Sequence, residues 1–365
     1  MKQLFIDARL WGIKHTGIGR YTENLIEKLP SSPDIEITLI LTPEDSTDPK
    51  LHKFNRVIAK KHPYSPLSQL EMFFIWLRHR PDLLHVTQSS VPIFWFGKMV
   101  VTFHDLIKHQ SKGLSTTTKN PIFYWLKYLG LISIDFIATL KASFILVPTQ
   151  YWKDQLLFKY HLPDGKVIVT YEGVDSRIPD SSSDNSLSVT KPYVFYVGNI
   201  YPHKNLEVLF QAIKKLQGKI KLAIVCARSV FESRAKDQIK NLNLENDVFF
   251  LGRVTDSQLN YLYKNALAFV FPSLIEGFGL PGLEAMSTGT PVIAARASCL
   301  PEVYGQSALY FDPHNSEELA KLILKIQKDV TLRNNLIKRG LGQVKNYSWD
   351  KMSQQTWKIY QRALP

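Results

Sequence analysis

A chain of 365 residues exceeds one typical domain and suits two. Its 45% hydrophobic content excludes a disordered or fibrous protein, and its only two cysteines, Cys226 and Cys299, stand in no CxxC or metal-ligand spacing, which excludes a disulfide framework and a zinc site. The formal charge of +13 asks for an acidic partner, and so few cysteines suit a reducing compartment.

The N-terminal run Met1-Lys-Gln-Leu-Phe-Ile-Asp-Ala-Arg-Leu10 carries charges within its apolar stretch and reads as a first strand over 4–10, not a signal peptide. Thr16-Gly-Ile-Gly-Arg-Tyr21 follows, ahead of a helix predicted over 21–29. Gly17 and Gly19 let backbone N–H groups approach a phosphate there. A Gly-x-Gly loop is as readily a tight turn, and this one lacks the third glycine of a dinucleotide fingerprint. Further strands are predicted at 35–41, 55–59, 83–87, 99–104, 143–148 and 167–171, with helical patterns at 66–77 and 151–160. Val100-Val-Thr-Phe-His-Asp105 is an apolar strand ending in two polar side chains. His104 suits a sugar hydroxyl or a transferred group. Asp105 suits orienting that histidine, or capping the next segment.

Residues 51–160 hold 14 Lys and Arg against 5 Asp and Glu, a net of +9, among aromatics such as Phe73, Phe74, Trp76, Trp95, Phe96 and Trp125. That mixture suits the surface of an anionic membrane. It equally describes core aromatics beneath a solvated basic face, and nucleic acid has only the net charge in its favour. The stretch 121–140 is apolar, but Lys127, Gly130 and Asp135 interrupt it. A spanning helix needs ~20 mostly apolar residues, so this one reads as a helix packed on a sheet or partly embedded in an interface.

A polar, Ser-rich stretch at 179–188 breaks the pattern. Strands then recur at 193–198, 221–226, 248–251, 267–271 and 291–295, with helices at 206–216, 231–242, 256–265 and 282–288. Helical segments at 316–328, 331–345 and 349–363 close the chain. Such alternation argues for βαβ units and parallel sheets, so two doubly wound domains in series, with ligands beyond the carboxyl ends of the strands and in the cleft between domains.

Two segments of the second half carry chemistry. In Gly198-Asn-Ile-Tyr-Pro-His-Lys-Asn205, Lys204 stands at a helix start, where a cation opposes the dipole unless an anion is bound. His203 assists either charged or as a neutral donor. In Phe271-Pro-Ser-Leu-Ile-Glu-Gly-Phe-Gly-Leu-Pro-Gly-Leu-Glu-Ala-Met286, a Gly-rich turn joins strand to helix between two carboxylates, Glu276 and Glu284. Pro281 suits the first helical position, the glycines allow close backbone approach, and the helix start offers N–H groups to an anion. Phosphate and hydroxyls in one pocket describe a sugar nucleotide. Taken alone, Glu284 reads equally as a residue suited to the helix dipole.

These segments, in this order, resemble the family 4 retaining glycosyltransferases of the GT-B fold. The likeness rests on Glu276 through Glu284, Gly198 to Asn205, His104-Asp105, the Gly17/Gly19 loop, Gly173-Val-Asp175, Phe250-Leu-Gly-Arg-Val254 and Leu300-Pro-Glu-Val303. It spans nearly the whole chain and is densest over 193–312. The resemblance implies an α/β fold of two doubly wound Rossmann-like domains facing a central cleft. An acceptor-binding domain would occupy 1–178, a linker 179–190, a nucleotide-sugar-binding domain 191–347, and a last helix crossing back to the first domain 348–365.

By the same resemblance, Glu276 binds donor-sugar hydroxyls, and the backbone of Gly277, Phe278, Gly279 and Leu280 meets the sugar and diphosphate. Glu284 holds the ribose. Lys204 neutralises the diphosphate, with Gly198 and His203 beside it and Gly17 and Gly19 approaching from the other domain. His104 lies near the sugar at the reacting centre and forms the catalytic set with Glu276 and Lys204; Asp105 falls on the acceptor side. At His203 the sequence departs from the family, where many members carry Arg, and a bidentate fork is lost. No Asp-x-Asp signature stands in a suitable loop, so the implied chemistry uses no metal or cofactor. Lys204 and the helix start carry the leaving charge, and displacement is same-face and oxocarbenium-like.

The implied reaction moves a hexose, mannose from GDP-mannose ahead of UDP-sugars, to a saccharide or lipid-linked saccharide in bacterial surface polysaccharide synthesis. The implied location is cytoplasmic and peripheral, at the anionic inner face of the plasma membrane. Acceptor specificity is expected around 88–98 and 111–127. The alternative is a non-catalytic glycan- or membrane-binding protein on the same fold. The incomplete glycine fingerprint disfavours a nicotinamide-dependent oxidoreductase, and nucleic acid is not expected as a partner.

Overall fold

The computed structural model describes residues 1–113, 116–117, 120–174, 189–226 and 231–364. The Ser-rich stretch 179–188, Asp175, and residues 114–115 and 118–119 of the expected specificity segment lie outside the described residues. The chain divides into two compact units, one of Met1–His109, Lys119–Gly173 and Ser348–Pro365, the other of Gln110–Thr118 and Val174–Tyr347.

The first unit is built on seven strands: β1 (Lys2–Asp7), β2 (Ile35–Leu41), β3 (Asn55–Ile58), β4 (Leu83–Val86), β5 (Lys98–Thr102), β6 (Phe144–Val147) and β7 (Val167–Val169). Their order is β3-β2-β1-β4-β5-β6-β7 and every pairing is parallel. β4 and the apolar residues of β5 are fully buried, as strands covered by helices on both faces must be. All seven predicted strands form, most of them ending a residue or more before the expected limit. The trimmed residues, such as Phe103 and His104 after β5, lie just past the carboxyl edge of the sheet, where doubly wound folds place ligands. Gly17 and Gly19 do not form a loop ahead of a helix: both lie in the first turns of the helix Thr16–Glu27.

The last helix, Trp349–Ala363, belongs to this first unit. Its Ser353 hydroxyl donates to the Leu25 carbonyl at 3.2 Å, and the Tyr360 hydroxyl meets His85 Nδ1 at 2.5 Å. A Cβ on Gly173 would lie 2.1 Å from the Trp349 nitrogen, so only glycine lets the chain pass there. Of the aromatics between 51 and 160, Trp95 is core, whereas Phe74 and Phe96 are exposed. The predicted helix at 121–140 forms as Pro121–Lys141, and little of it is buried.

The second unit holds β8 (Tyr193–Val197), β9 (Lys221–Val225), β10 (Val248–Phe250), β11 (Ala268–Phe271), β12 (Val292–Ala295) and β13 (Ala308–Phe311). The order is β10-β9-β8-β11-β12-β13, again all parallel. Both sheets thus reverse their strand order once, between β1 and β4 and between β8 and β11, which is the doubly wound arrangement expected. β13 was not among the predicted strands. Four residues between the Gly305-Gln-Ser turn and Asp312-Pro313 are too few for a period to show.

Candidate active site

The switch point of the second sheet brings together the two segments that the sequence singled out. Gly198 follows β8 with φ +150°, and a Cβ there would lie 2.9 Å from the Tyr196 hydroxyl. The chain then turns through a short helix, Pro202–Lys204, to Asn205, which is left-handed at φ 55°. Asn205 is held from both sides, its amide donating to the carbonyls of Pro272 at 3.2 Å and Pro313 at 2.8 Å. The Leu274 N–H donates to the His203 carbonyl at 2.8 Å. The loop after β8 and the loop after β11 are therefore one bonded layer.

Across that layer the Lys204 ammonium donates to both oxygens of Glu276, at 2.7 and 2.9 Å, with side chains only 16% and 9% exposed. Nζ also lies 5.7 Å from the centre of the Phe271 ring. The cation expected on a diphosphate and the carboxylate expected on a sugar thus hold one another. His203 stacks on Tyr201, their rings 5.9 Å apart and 11° from parallel. Burial and then the Lys204 charge push its imidazole down to about 4, against the pull of Glu276, so it is neutral near pH 7 and leaves the positive charge to Lys204.

The glycine-rich turn is shaped as much by a tyrosine as by any ligand. Gly279 has φ +97°, and the Tyr304 hydroxyl donates to its carbonyl at 2.6 Å. A Cβ on Gly279 would lie 2.6 Å from that hydroxyl, and one on Gly282 would lie 2.3 Å from it. The helix begins at Leu280, so Pro281 is its second residue and not its first. From the second turn of that helix Glu284 receives the Tyr263 hydroxyl at 3.2 Å, which also reaches the Pro281 carbonyl at 3.2 Å. Behind Glu276, Ser298 at φ 54° accepts from the Glu276 N–H at 3.2 Å and donates to its carbonyl at 3.1 Å; the buried Cys299 thiol lies 3.2 Å from that carbonyl. Phe278 packs on Tyr347 at 5.4 Å. Sequence reasoning missed Tyr263, Ser298, Cys299 and Tyr304; the last three had a signal in flanking the Leu300-Pro-Glu-Val303 segment, and Tyr263 had none.

In the first unit, His104 follows β5 and Asp105 follows it. The Asp105 carboxylate accepts from the Ile107 N–H at 2.9 Å and so caps the short helix Ile107–Gln110, the second of its two expected roles. His104 Nε2 lies 2.9 Å from the Thr87 carbonyl and Nδ1 lies 3.4 Å from Glu172 Oε1. Both ring nitrogens thus face acceptors of the protein. Glu172, buried at 6% exposure, was not singled out in the sequence, although it precedes Gly173-Val-Asp175. Gly19 is buried, and a Cβ there would lie 1.9 Å from the Gly12 carbonyl; Gly17 is exposed and meets nothing within 4 Å. Close packing therefore demands Gly19, whereas Gly17 leaves the first turn of its helix open.

Profiles of two families cover the chain. The one described as Glycosyltransferase Family 4 matches residues 15–177, and the one described as Glycosyl transferases group 1 matches residues 178–343. The chain is 28% identical to the O-antigen chain mannosyltransferase B of Escherichia coli, over 94% of this chain and 96% of that protein. It is 28% identical to the O-antigen chain mannosyltransferase RfbU of Salmonella typhimurium, over 74% and 71%. Sucrose-phosphate synthase from Thermosynechococcus elongatus superposes with a TM-score of 0.77 over 99% of both chains at 18% identity, a likeness of fold.

Proposed function

The chain belongs to the family 4 glycosyltransferases of the GT-B fold, and from that membership we propose that it transfers mannose from GDP-mannose, with retention, to a lipid-linked saccharide of a bacterial surface polysaccharide. The supporting observation is the Lys204–Glu276 contact at the switch point of the second sheet. In this reading a cation for the diphosphate stands beside a carboxylate for sugar hydroxyls, next to the helix that carries Glu284. The relatives of the previous section, named for mannose transfer, favour that sugar.

In this reading the donor separates the pair. Lys204 turns to the diphosphate, and Glu276 accepts hydrogen bonds from the sugar. Gly198 and the backbone from Gly277 to Leu280 line the approach, with His203 beside the diphosphate and Glu284 on the ribose. Negative charge grows on the leaving diphosphate as the glycosidic bond breaks, and charge placed in advance lowers that barrier. Lys204 and the first turn at Leu280 supply it without a metal, so chelators should leave turnover intact. The departing phosphate takes the acceptor's proton on the same face. From the first unit, the family resemblance assigns His104 to the reacting sugar and Gly17 and Gly19 to the diphosphate, and the reading keeps those roles.

The acceptor's lipid suggests where the enzyme sits. Ile122, Leu126, Leu129, Phe136 and Leu140 recur at helical spacing along Pro121–Lys141, and each is about half exposed or more. Asp135, the helix's only acidic residue, turns inward to His109 at 2.7 Å. A basic unit with such a stripe fits the anionic inner face of the plasma membrane, and a cytoplasmic, peripheral enzyme follows.

The test is a panel of radiolabelled sugar nucleotides with purified protein and membrane-extracted acceptor lipids. Transfer of mannose from GDP-mannose is expected. Transfer only from a UDP-sugar would replace the donor, and no hydrolysis or transfer with any member would sink the reading.

A further inference from the structure

The surroundings of His104 fix its protonation. A neutral imidazole has one N–H and one lone pair. The Thr87 carbonyl, 2.9 Å from Nε2, can only accept, so Nε2 carries a hydrogen. A neutral ring would then aim the Nδ1 lone pair at Glu172 Oε1, 3.4 Å away, with both side chains largely buried at 13% and 8% exposure. A proton between the two removes that conflict. Imidazole, with an ordinary pKa of about 6.5, is a stronger base than a carboxylate at about 4.3, so the proton resides on the ring.

We propose that Glu172 is a positioning residue that holds His104 as a doubly protonated imidazolium, a fixed cation at the carboxyl edge of the first unit's sheet. The role in catalysis rests on the reading above, that His104 stands near the reacting sugar. His104 then acts through its charge and not through a hydrogen bond to a hydroxyl. Tyr21, from the helix Thr16–Glu27, meets the ring at 4.8 Å and 84° and is neutral, its hydroxyl on Thr102. His85, on β4, is also kept neutral, and Asp105 is the adjacent charge on the chain. Burial opposes a charged ring, but Glu172, the Thr87 carbonyl and Asp105 outweigh it and raise His104 above the ordinary histidine value.

Ring nitrogen shifts of histidine-labelled protein read the proton directly, with His104→Gln identifying the resonances. In the wild type both nitrogens of His104 should remain protonated above about pH 6.5. In Glu172→Gln the midpoint should fall by about one pH unit or more, as loss of an adjacent opposite charge predicts, and Glu172→Asp should recover part of it. The alkaline limb of turnover with GDP-mannose should move down with it. A wild-type ring that titrates at or below the ordinary value overturns the proposal, even should the variant fail to fold. So does a Glu172→Gln midpoint that stays where it was. A midpoint that moves while the turnover profile does not keeps the ion pair but removes His104 from the site, and the positioning role with it.

Discussion

Replacing Glu276 by Gln should move the affinities of two related ligands in opposite directions. In the free protein Glu276 receives two charge-assisted hydrogen bonds from Lys204, at 2.7 and 2.9 Å, in a setting where neither side chain is more than 16% exposed. On the proposed reading, a nucleoside diphosphate without its sugar should draw Lys204 away and give the carboxylate nothing in return. One such bond is worth about 1.5–3 kcal/mol, and a carboxylate this buried regains little of that from water. The neutral amide of the variant leaves no charge stranded, so GDP should bind Glu276→Gln roughly tenfold more tightly, about 1.4 kcal/mol. On the proposed reading, GDP-mannose should replace the lost lysine with sugar hydroxyls in the wild type. It should therefore bind the variant roughly tenfold or more weakly, because a charged acceptor has become a neutral one. Calorimetric titration of both ligands into both proteins measures the four constants. The wild type should also release GDP readily after transfer, since the pair re-forms once the sugar has gone. Weakening of both ligands together would refute the exchange of partners while leaving a donor site in place. No change in either would remove Glu276 from the site.

Three further outcomes follow from the geometry. Gly282→Ala should destabilise the protein by about 1–3 kcal/mol, measured by denaturant unfolding, since its Cβ would meet the Tyr304 ring at 2.3 Å; an unchanged midpoint would mean that the turn is looser than described. Leu126→Glu with Leu129→Glu should abolish co-sedimentation with anionic vesicles without lowering the melting temperature, because both side chains already face solvent, and retained binding would move the membrane surface elsewhere. His85, fully buried between Tyr360 and Thr102, is pushed by burial, and then by the nearby His104 charge, down to about 3, so the unfolded chain binds a proton that the folded one refuses as pH falls below the unfolded value of about 6.5. Stability should therefore fall by about 2 kcal/mol from this residue alone between pH 6.5 and 5; His85→Gln should flatten that slope in paired denaturant melts, and identical slopes would show the histidine to be protonated when folded.

Local features of the sequence carried the class of fold and singled out the segments that hold Lys204, Glu276 and Glu284. Short apolar runs alternating with amphipathic ones mean parallel strands and covering helices, because each strand is buried on both faces and its neighbours in sequence supply the cover. Glu276 and Glu284 were legible because a strand, a glycine turn and a helix lie within one contiguous stretch. β13 was not legible, since four residues hold too little period, and Gly19 and Gly282 were legible as glycines but not for their reason. The atoms that forbid a Cβ there, the Gly12 carbonyl and the Tyr304 side chain, lie close only after folding.

The pairings of charged groups at the two sheet edges belong to the tertiary structure. Lys204 meets Glu276 across 72 positions of sequence because β8 and β11 are neighbours at the switch point. His104 meets Glu172 across 68 because the chain leaves β5 and β7 at the same edge of one sheet. A sequence states which groups are charged. Whether two of them stand within 4 Å, away from water, depends on strand order, and with it whether a histidine serves as a hydrogen-bond donor or as a fixed cation.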